Sequence, residues 1–123
     1  MRVVFMKRVL VLAGLLACVT VLHAASYMKL EQITVANASI GFTAANINNT
    51  AGNHPAATSA VCRLETAEIR YTLDTTTPTT TVGVLLEIGD VLTLNGNETL
   101  NTFRAIRTGG TSGVLDCHYF ASF

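Results

Sequence analysis

From Ala67 to Asp74 the chain is written in a period of two. Ile69, Tyr71 and Leu73 point one way, and Glu68, Arg70, Thr72 and Asp74 point the other. That alternation marks a strand with one buried face. It recurs upstream, with Cys62 and Leu64 opposite Arg63 and Glu65. It recurs near the end, with Leu115, Cys117 and Tyr119 opposite Asp116 and His118. No stretch after residue 25 carries the 3.6-residue spacing of an amphipathic helix. A chain patterned this way is confined to sheet architectures.

Taken in order, the strands are expected near Glu31–Val35, Ser39–Ala45, Ala60–Leu73, Val82–Ile88, Val91–Leu94, Thr102–Thr108 and Val114–Phe120. Ala60–Leu73 reads as one long bent strand. Its phase slips by one residue at Thr66-Ala67, as a β-bulge would make it; a tight turn is the alternative. Val82–Ile88 is apolar on both faces, which predicts a strand covered on both sides. Pro78 sets a turn within Asp74–Thr81, and Gly89-Asp90 sets another. Asn95-Gly96 is the strongest short hairpin signal in the chain. Asn97–Asn101 is a helical turn or a loose link, and Thr108–Gly113 reads as a hairpin. Strands about eight to twelve residues apart predict an all-β fold, a single antiparallel β-sandwich of jelly-roll or Ig-like type. Ile69, Tyr71, Leu73, Leu86, Leu94, Phe103 and Leu115 are its expected core.

The N-terminus is of another kind. Arg2, Lys7 and Arg8 precede an apolar run from Val9 to Leu22, the layout of a secretory signal peptide. As a helix that run of about 14 residues spans roughly 21 Å, short of the ~30 Å bilayer core. The chain therefore divides into a signal-like segment with an N-terminal helix, residues 1–25, and a β-sandwich domain, residues 26–123. No stable membrane span is expected in the mature form. Leu15-Leu16-Ala17-Cys18 resembles a lipoprotein signal, but Val19, Val21 and Leu22 continue the apolar run past Cys18. Met6 and Met28 are alternative starts.

From Ser26 onward there are five Lys/Arg and eight Asp/Glu, a formal charge of −3. Binding nucleic acid by phosphate neutralisation needs a basic surface, so no nucleic-acid partner is expected. Cys62 and Cys117 permit one disulfide in an exported domain. Their place in apolar strand patterns favours two buried thiols instead.

Chemistry finds little footing. Asp116 and His118 share a strand face that reads as solvated rather than as a metal or acid–base site. Cys117 points away from His118, so it gains no base from its neighbour. Glu65 and Glu68 flank the phase break beside Arg63 and Arg70, which offer ordinary ion pairing. The Gly109-Gly110 loop leads into a strand, not into a phosphate-binding helix. No catalytic residue, metal ligand or cofactor site is assigned, and the chain is not expected to be an enzyme. Asn37, Asn48 and Asn97 each begin an N-glycosylation sequon.

The series Ile69-Arg70-Tyr71-Thr72-Leu73-Asp74, Thr77-Pro78-Thr79, Val82-Gly83, Leu86, Gly89-Asp90, Leu94 and Phe103-Arg104-Ala105-Ile106-Arg107 resembles a group of small β-sandwich proteins of phages and prophages, virion-associated or of unknown role. Thr75 stands where that pattern has Gly after the Asp. Tyr71–Asp74 with Thr77–Thr79 also resembles, more weakly, the accessory β-sandwich modules of chitin- and hexosamine-degrading enzymes. The first resemblance implies a virion accessory or decoration subunit whose partner is a capsid or tail protein, or a second copy. The second implies a secreted or periplasmic adhesion or carbohydrate-binding module. Location follows accordingly: the virion, or the secreted or periplasmic space.

Partner contacts are expected on two polar segments. The Asn-rich loop Asn46–Ser59, with Asn48, Asn49, Asn53 and His54, is long and poor in bulk. The second segment is the Thr75–Thr81 turn, with Thr76, Thr77, Pro78 and Thr79.

Overall fold

Alternating side chains become two antiparallel sheets with few helices. The computed structural model describes residues 24–50, 52 and 54–122. The signal-like segment therefore lies outside the described residues, apart from its last two positions. One sheet holds β1 (Ala25–Val35), β2 (Ser59–Glu65), β5 (Val91–Asn95) and β7 (Gly113–Ser122), in the order β1-β7-β2-β5. The other holds β3 (Ile69–Thr72), β4 (Val84–Leu86) and β6 (Arg104–Arg107), in the order β4-β3-β6. Two short helices, α1 (Ala44–Ile47) and α2 (Asn97–Thr102), complete the named elements. Among the described residues no helix is long and apolar enough to cross a membrane.

Both sheets feed one buried cluster. Val35, Leu64, Leu94, Leu115 and Tyr119 come from the first sheet, and Ile69, Leu86 and Ala105 from the second. Of the expected core, Ile69, Leu86, Leu94, Phe103 and Leu115 are buried and Tyr71 packs against them, but Leu73 is 40% exposed. Leu73 lies one residue past the end of β3, where the chain turns outward and leaves its face.

Several expected elements change. β1 begins at Ala25, not near Glu31, because Ala25–Tyr27 pair with Phe120–Ser122. Ala60–Leu73 is two strands in different sheets rather than one bent strand. At the phase break Ala67 N–H donates to Glu65 O at 3.0 Å, and Thr66 has φ 73. This three-residue turn throws the chain from one sheet into the other. Ser39–Ala45 gives only one bridge, Ile40 to Ala105, and then runs into α1. Neither Asn95-Gly96 nor Thr108–Gly113 makes a hairpin. Gly96, with φ 92, opens α2 instead, while β6 and β7 belong to different sheets. Gly113 is buried where a Cβ would stand 2.5 Å from Ile69 Cγ2 and 2.7 Å from Ala67 O, so the crossing requires glycine.

Leu100 of α2 and Ile47 of α1 plug one end of the core. An amide cluster holds the two together. Asn97 Nδ2 donates to Ile47 O, Ala57 O and Asn48 Oδ1 at 3.0–3.2 Å, and Asn48 Nδ2 donates to Asn101 Oδ1 at 2.9 Å. The Asn46–Ser59 segment is thus anchored at both ends and supplies Ile47 and Ala57 to the core. The sequons at Asn48 and Asn97 have their acceptor amides engaged in this cluster.

Cys62 and Cys117 are joined, Sγ to Sγ at 2.08 Å, which overturns the expectation of free thiols. Inward facing was legible from the strand pattern; meeting was not. The β2–β7 register sets the two residues directly opposite, with Cα atoms 4.0 Å apart. The bridge closes a separation of 55 residues. Chain entropy values such a loop at about 4 kcal/mol. The double variant Cys62→Ala/Cys117→Ala is expected to lose about 2–4 kcal/mol in urea unfolding. A loss below about 1 kcal/mol would show that the bridge constrains little.

Tyr119 is buried, and its hydroxyl donates to Glu31 Oε2 at 2.6 Å; Thr43 Oγ1 donates to Glu31 Oε1. Burial pushes the Glu31 carboxyl up, but hydrogen bonds from Thr43, Tyr119 and Asn46 outweigh it and hold the group below its ordinary 4.5. Burial and the Glu31 charge drive the Tyr119 phenol far above its ordinary 10.0. A depressed carboxyl gives stability that is full above pH 4.5 and lost as pH falls through the folded value. A raised phenol gives stability that is full below pH 10.0 and lost above it. Tyr119→Phe is therefore expected to flatten both limbs of the stability–pH curve, and Glu31→Gln chiefly the acid limb. Melting temperatures across that range test both.

Candidate functional site

The two flanks of the fold differ. On one, residues 36–42 leave β1 and run along β6. Ile40 and Ala105 exchange backbone hydrogen bonds at 2.9 and 2.8 Å, and Arg107 N–H donates to Ala36 O at 3.0 Å. This covers the β6 edge. On the same side of the molecule, the outer strand β1 carries an irregularity between Tyr27 and Lys29, and Lys29 itself. Bulges and lysines blunt strand edges.

The opposite flank is open. β4 pairs only with β3 and β5 only with β2, so each is an edge. The turn Glu87–Asp90 joins them and is pinned to the fold. Gly89 N–H donates to Leu64 O at 2.8 Å, Leu64 N–H to Asp90 O at 3.0 Å, and Glu87 N–H to Asp90 Oδ2 at 3.0 Å. Val82 (52%), Val84 (57%), Ile88 (60%) and Val91 (62%) are exposed on this flank. Leu85 and Leu73 are exposed to a lesser degree. The run Val82–Ile88, expected to be covered on both faces, buries only Leu86 of its bulky residues. An apolar run fits a central strand and an unfinished edge equally well, and the topology makes this one an edge. A cleft of about 370 Å³, lined by Tyr71, Leu73, Gly83 and Val84 among others, opens beside β4.

The turn between β3 and β4 is built by its own side chains. Asp74 Oδ1 accepts Thr76 N–H at 3.1 Å, and Thr79 Oγ1 accepts Val82 N–H at 2.9 Å. Arg70, expected to make an ordinary ion pair, grips this turn instead. Its Nε donates to Thr80 O at 3.1 Å and its Nη1 to Gly83 O at 2.8 Å. Gly83 has φ 117, and a Cβ there would stand 2.9 Å from Tyr71 O. Pro78 is fully buried beneath the turn, so it is a wedge and not a contact residue, while Thr76, Thr77 and Thr79 are exposed.

The first expected contact segment divides as well. Asn48 is half-buried and bonded in the amide cluster; Asn49 is exposed; Asn53 lies outside the described residues. His54 is half-buried with Nδ1 2.9 Å from Pro55 O, and it lines a cleft of about 330 Å³ with Tyr27, Met28, Lys29, Ala45 and Asn46. The two expected contact segments therefore supply scattered polar positions, whereas the exposed apolar residues fall in and around β4.

Asp116 and His118 lie on the outer face of the larger sheet. Asp116 Oδ1 accepts from Gln32 Nε2 at 2.9 Å, and the His118 ring packs at 5.6 Å on Tyr27. Tyr27 also meets Phe120 edge-on at 6.2 Å, forming an aromatic cluster on that face. Among the described residues no three His, Cys, Asp or Glu side chains gather to hold a metal ion.

Compared with protein-family models, with curated proteins and with solved structures, the chain finds no match in any of the three.

Thr75 has φ 69, a left-handed conformation that costs a β-branched residue about 1–2 kcal/mol. Glycine pays no such cost, though it loses more chain entropy on folding, about 0.5–1 kcal/mol. Thr75→Gly is therefore expected to raise stability by up to about 1 kcal/mol. Chemical denaturation of variant and parent tests this, and a destabilised variant would contradict it.

Proposed function

We propose that the chain is a non-enzymatic structural or binding protein, a β-sandwich that serves as an accessory or decoration subunit of a phage particle. One observation carries the binding role: the flank formed by β4 and β5 keeps an unpaired edge with exposed apolar residues in and around it. Monomeric soluble proteins seldom leave such surface unused, and strand edges recruit partners through backbone hydrogen bonds. The virion context rests on the motif resemblance. In this chain Arg70, Pro78 and Gly83 build the β3–β4 turn, which is the role a recurring scaffold motif would serve.

A second reading, a secreted or periplasmic adhesion or carbohydrate-binding module, draws on two features. The buried Cys62–Cys117 bridge suits an oxidising compartment. The Tyr27–His118–Phe120 cluster offers two exposed rings, Tyr27 and His118, over a half-buried Phe120, of the kind sugars stack on.

Mass spectrometry of purified particles, alongside a glycan-binding screen, separates the two. The virion reading expects the chain at a fixed copy number per particle, with Val84→Lys or Leu85→Lys reducing incorporation. The second expects particle-free protein outside the cytoplasm whose glycan binding falls about tenfold or more on Tyr27→Ala, the loss of a ~1–3 kcal/mol stacking contact. Absence from particles would overturn the first reading.

A further inference from the structure

The open edge has a defined chemistry that selects its occupant. Ile69 and Leu86 are buried and directly opposed, as are Arg70 and Leu85 in the next pair. Arg70, Leu85 and the following alternate residue Glu87 therefore share the outer face of the smaller sheet. β4 is short, three residues, but no Lys, Arg or Pro falls between Val82 and Val91, and no bulge interrupts the strand. Its charges are Glu87 and Asp90, and the Asp90 carboxylate accepts the Glu87 N–H at 3.0 Å within its own turn.

We propose that two copies of this chain pair antiparallel through β4, with the two-fold axis at Leu85, so that the three-stranded sheet of one copy continues into that of the other. This deepens the reading of the open flank as the docking surface and rests on it. The register follows from symmetry. Within the strand, Leu85 faces the partner's Leu85 and Val84 faces the partner's Leu86; just beyond it, the Gly83 end of one copy meets the Glu87 end of the other. One operation covers Val84 and Leu85 together, two of the exposed apolar residues on the flank. An isologous contact of this kind closes on itself and does not propagate.

Charge decides for a second copy. The partner's Glu87 end meets that of Gly83, whose carbonyl already receives Arg70 Nη1 at 2.8 Å. Arg70 spends two of its five N–H donors on Thr80 O and Gly83 O, leaving the rest of the guanidinium for a carboxylate. The axis produces this pair twice, and no like charges stand opposed along the strand. Gly83 itself is required by its φ of 117 and by the 2.9 Å approach a Cβ there would make to Tyr71 O.

Sedimentation equilibrium of the purified product of full-chain expression tests the pairing. A concentration-dependent monomer–dimer equilibrium is expected. Leu85→Lys sets two ammonium groups on the axis and is expected to give monomer at every concentration with an unchanged melting temperature. Glu87→Arg replaces two attractions with repulsions and is expected to weaken association about tenfold or more. Leu85→Cys needs no loss of packing: directly opposed Cβ atoms are about 4.5–5.5 Å apart, so mild oxidation is expected to cross-link the dimer. Thr93→Cys, on the outer face of β5, is expected to remain uncross-linked. A monomeric parent up to millimolar concentration, a dimer that survives Leu85→Lys, or equal cross-linking of the two cysteine variants would overturn the proposal. If the parent is monomeric yet Leu85→Lys still abolishes particle incorporation, self-pairing fails and the edge belongs to a different protein. If neither association nor incorporation depends on Leu85, the docking surface itself is misassigned.

Discussion

A column of four aromatic rings crosses the space between the sheets and holds them in register. Tyr119 of β7 meets Phe42 edge-on at 5.6 Å, Phe42 stacks on Phe103 at 4.3 Å, and Phe103 stacks on Tyr71 of β3 at 6.0 Å. Each contact adds about 0.5–1.5 kcal/mol beyond the area it buries. The column also dictates what surrounds it. Tyr119 brings a hydroxyl into the core, which must find an acceptor. Glu31 supplies it, and the need to hold Glu31 in turn fixes Thr43 at the start of α1. At the other end Tyr71 emerges in the cleft beside β4.

Much of this was legible in the residues, and the failures share one cause. Period two located β2, β3, β5 and β7 and their inward faces, because facing is a local property of a strand. Neighbour identity is not local. Val82–Ile88 carries the composition of a central strand, and only the order β4-β3-β6 makes it an edge. Asn95-Gly96 has hairpin chemistry, but β5 has no following neighbour in its own sheet; Gly96 N–H donates to Thr58 O at 2.7 Å and the chain turns into α2. Cys62 and Cys117 were read as facing inward, and their union awaited a register set by whole strands. The Asn-rich segment was read as loop by composition, while Asn48, Asn97 and Asn101 use the same amides to tie it down.

Of the candidate contact residues, the exposed Thr side chains were readable from polarity, and the buried Pro78 was not. Proline in a turn is commonly solvated, but here Arg70 draws the turn back over it. The apolar flank escaped notice because an unfinished edge and a finished core strand use the same alphabet. Arg70, Asp74, Pro78 and Gly83 are mostly turn construction, joining β3 to β4.

The asymmetry between flanks follows from chain length at two connections. Between β1 and β2 the chain has residues 36–58 to spend, enough to lay Ala36–Ile40 along β6, form α1 and return. Between β4 and β5 it has residues 87–90. Four extended residues reach at most about 14 Å, and packed sheets stand about 10 Å apart. Here the four are not even extended: Asp90 N–H donates to Glu87 O at 3.0 Å and closes them into a turn. The link that joins the two edges therefore cannot double back to cover either, and the same shortness holds Ile88 and Val91 out at the corner. Cover for this flank must come from a segment remote in sequence or from another molecule. An edge bordered by Val82, Val84 and Leu85, with a guanidinium on one side of its midpoint and a carboxylate on the other, is complementary to its own two-fold image.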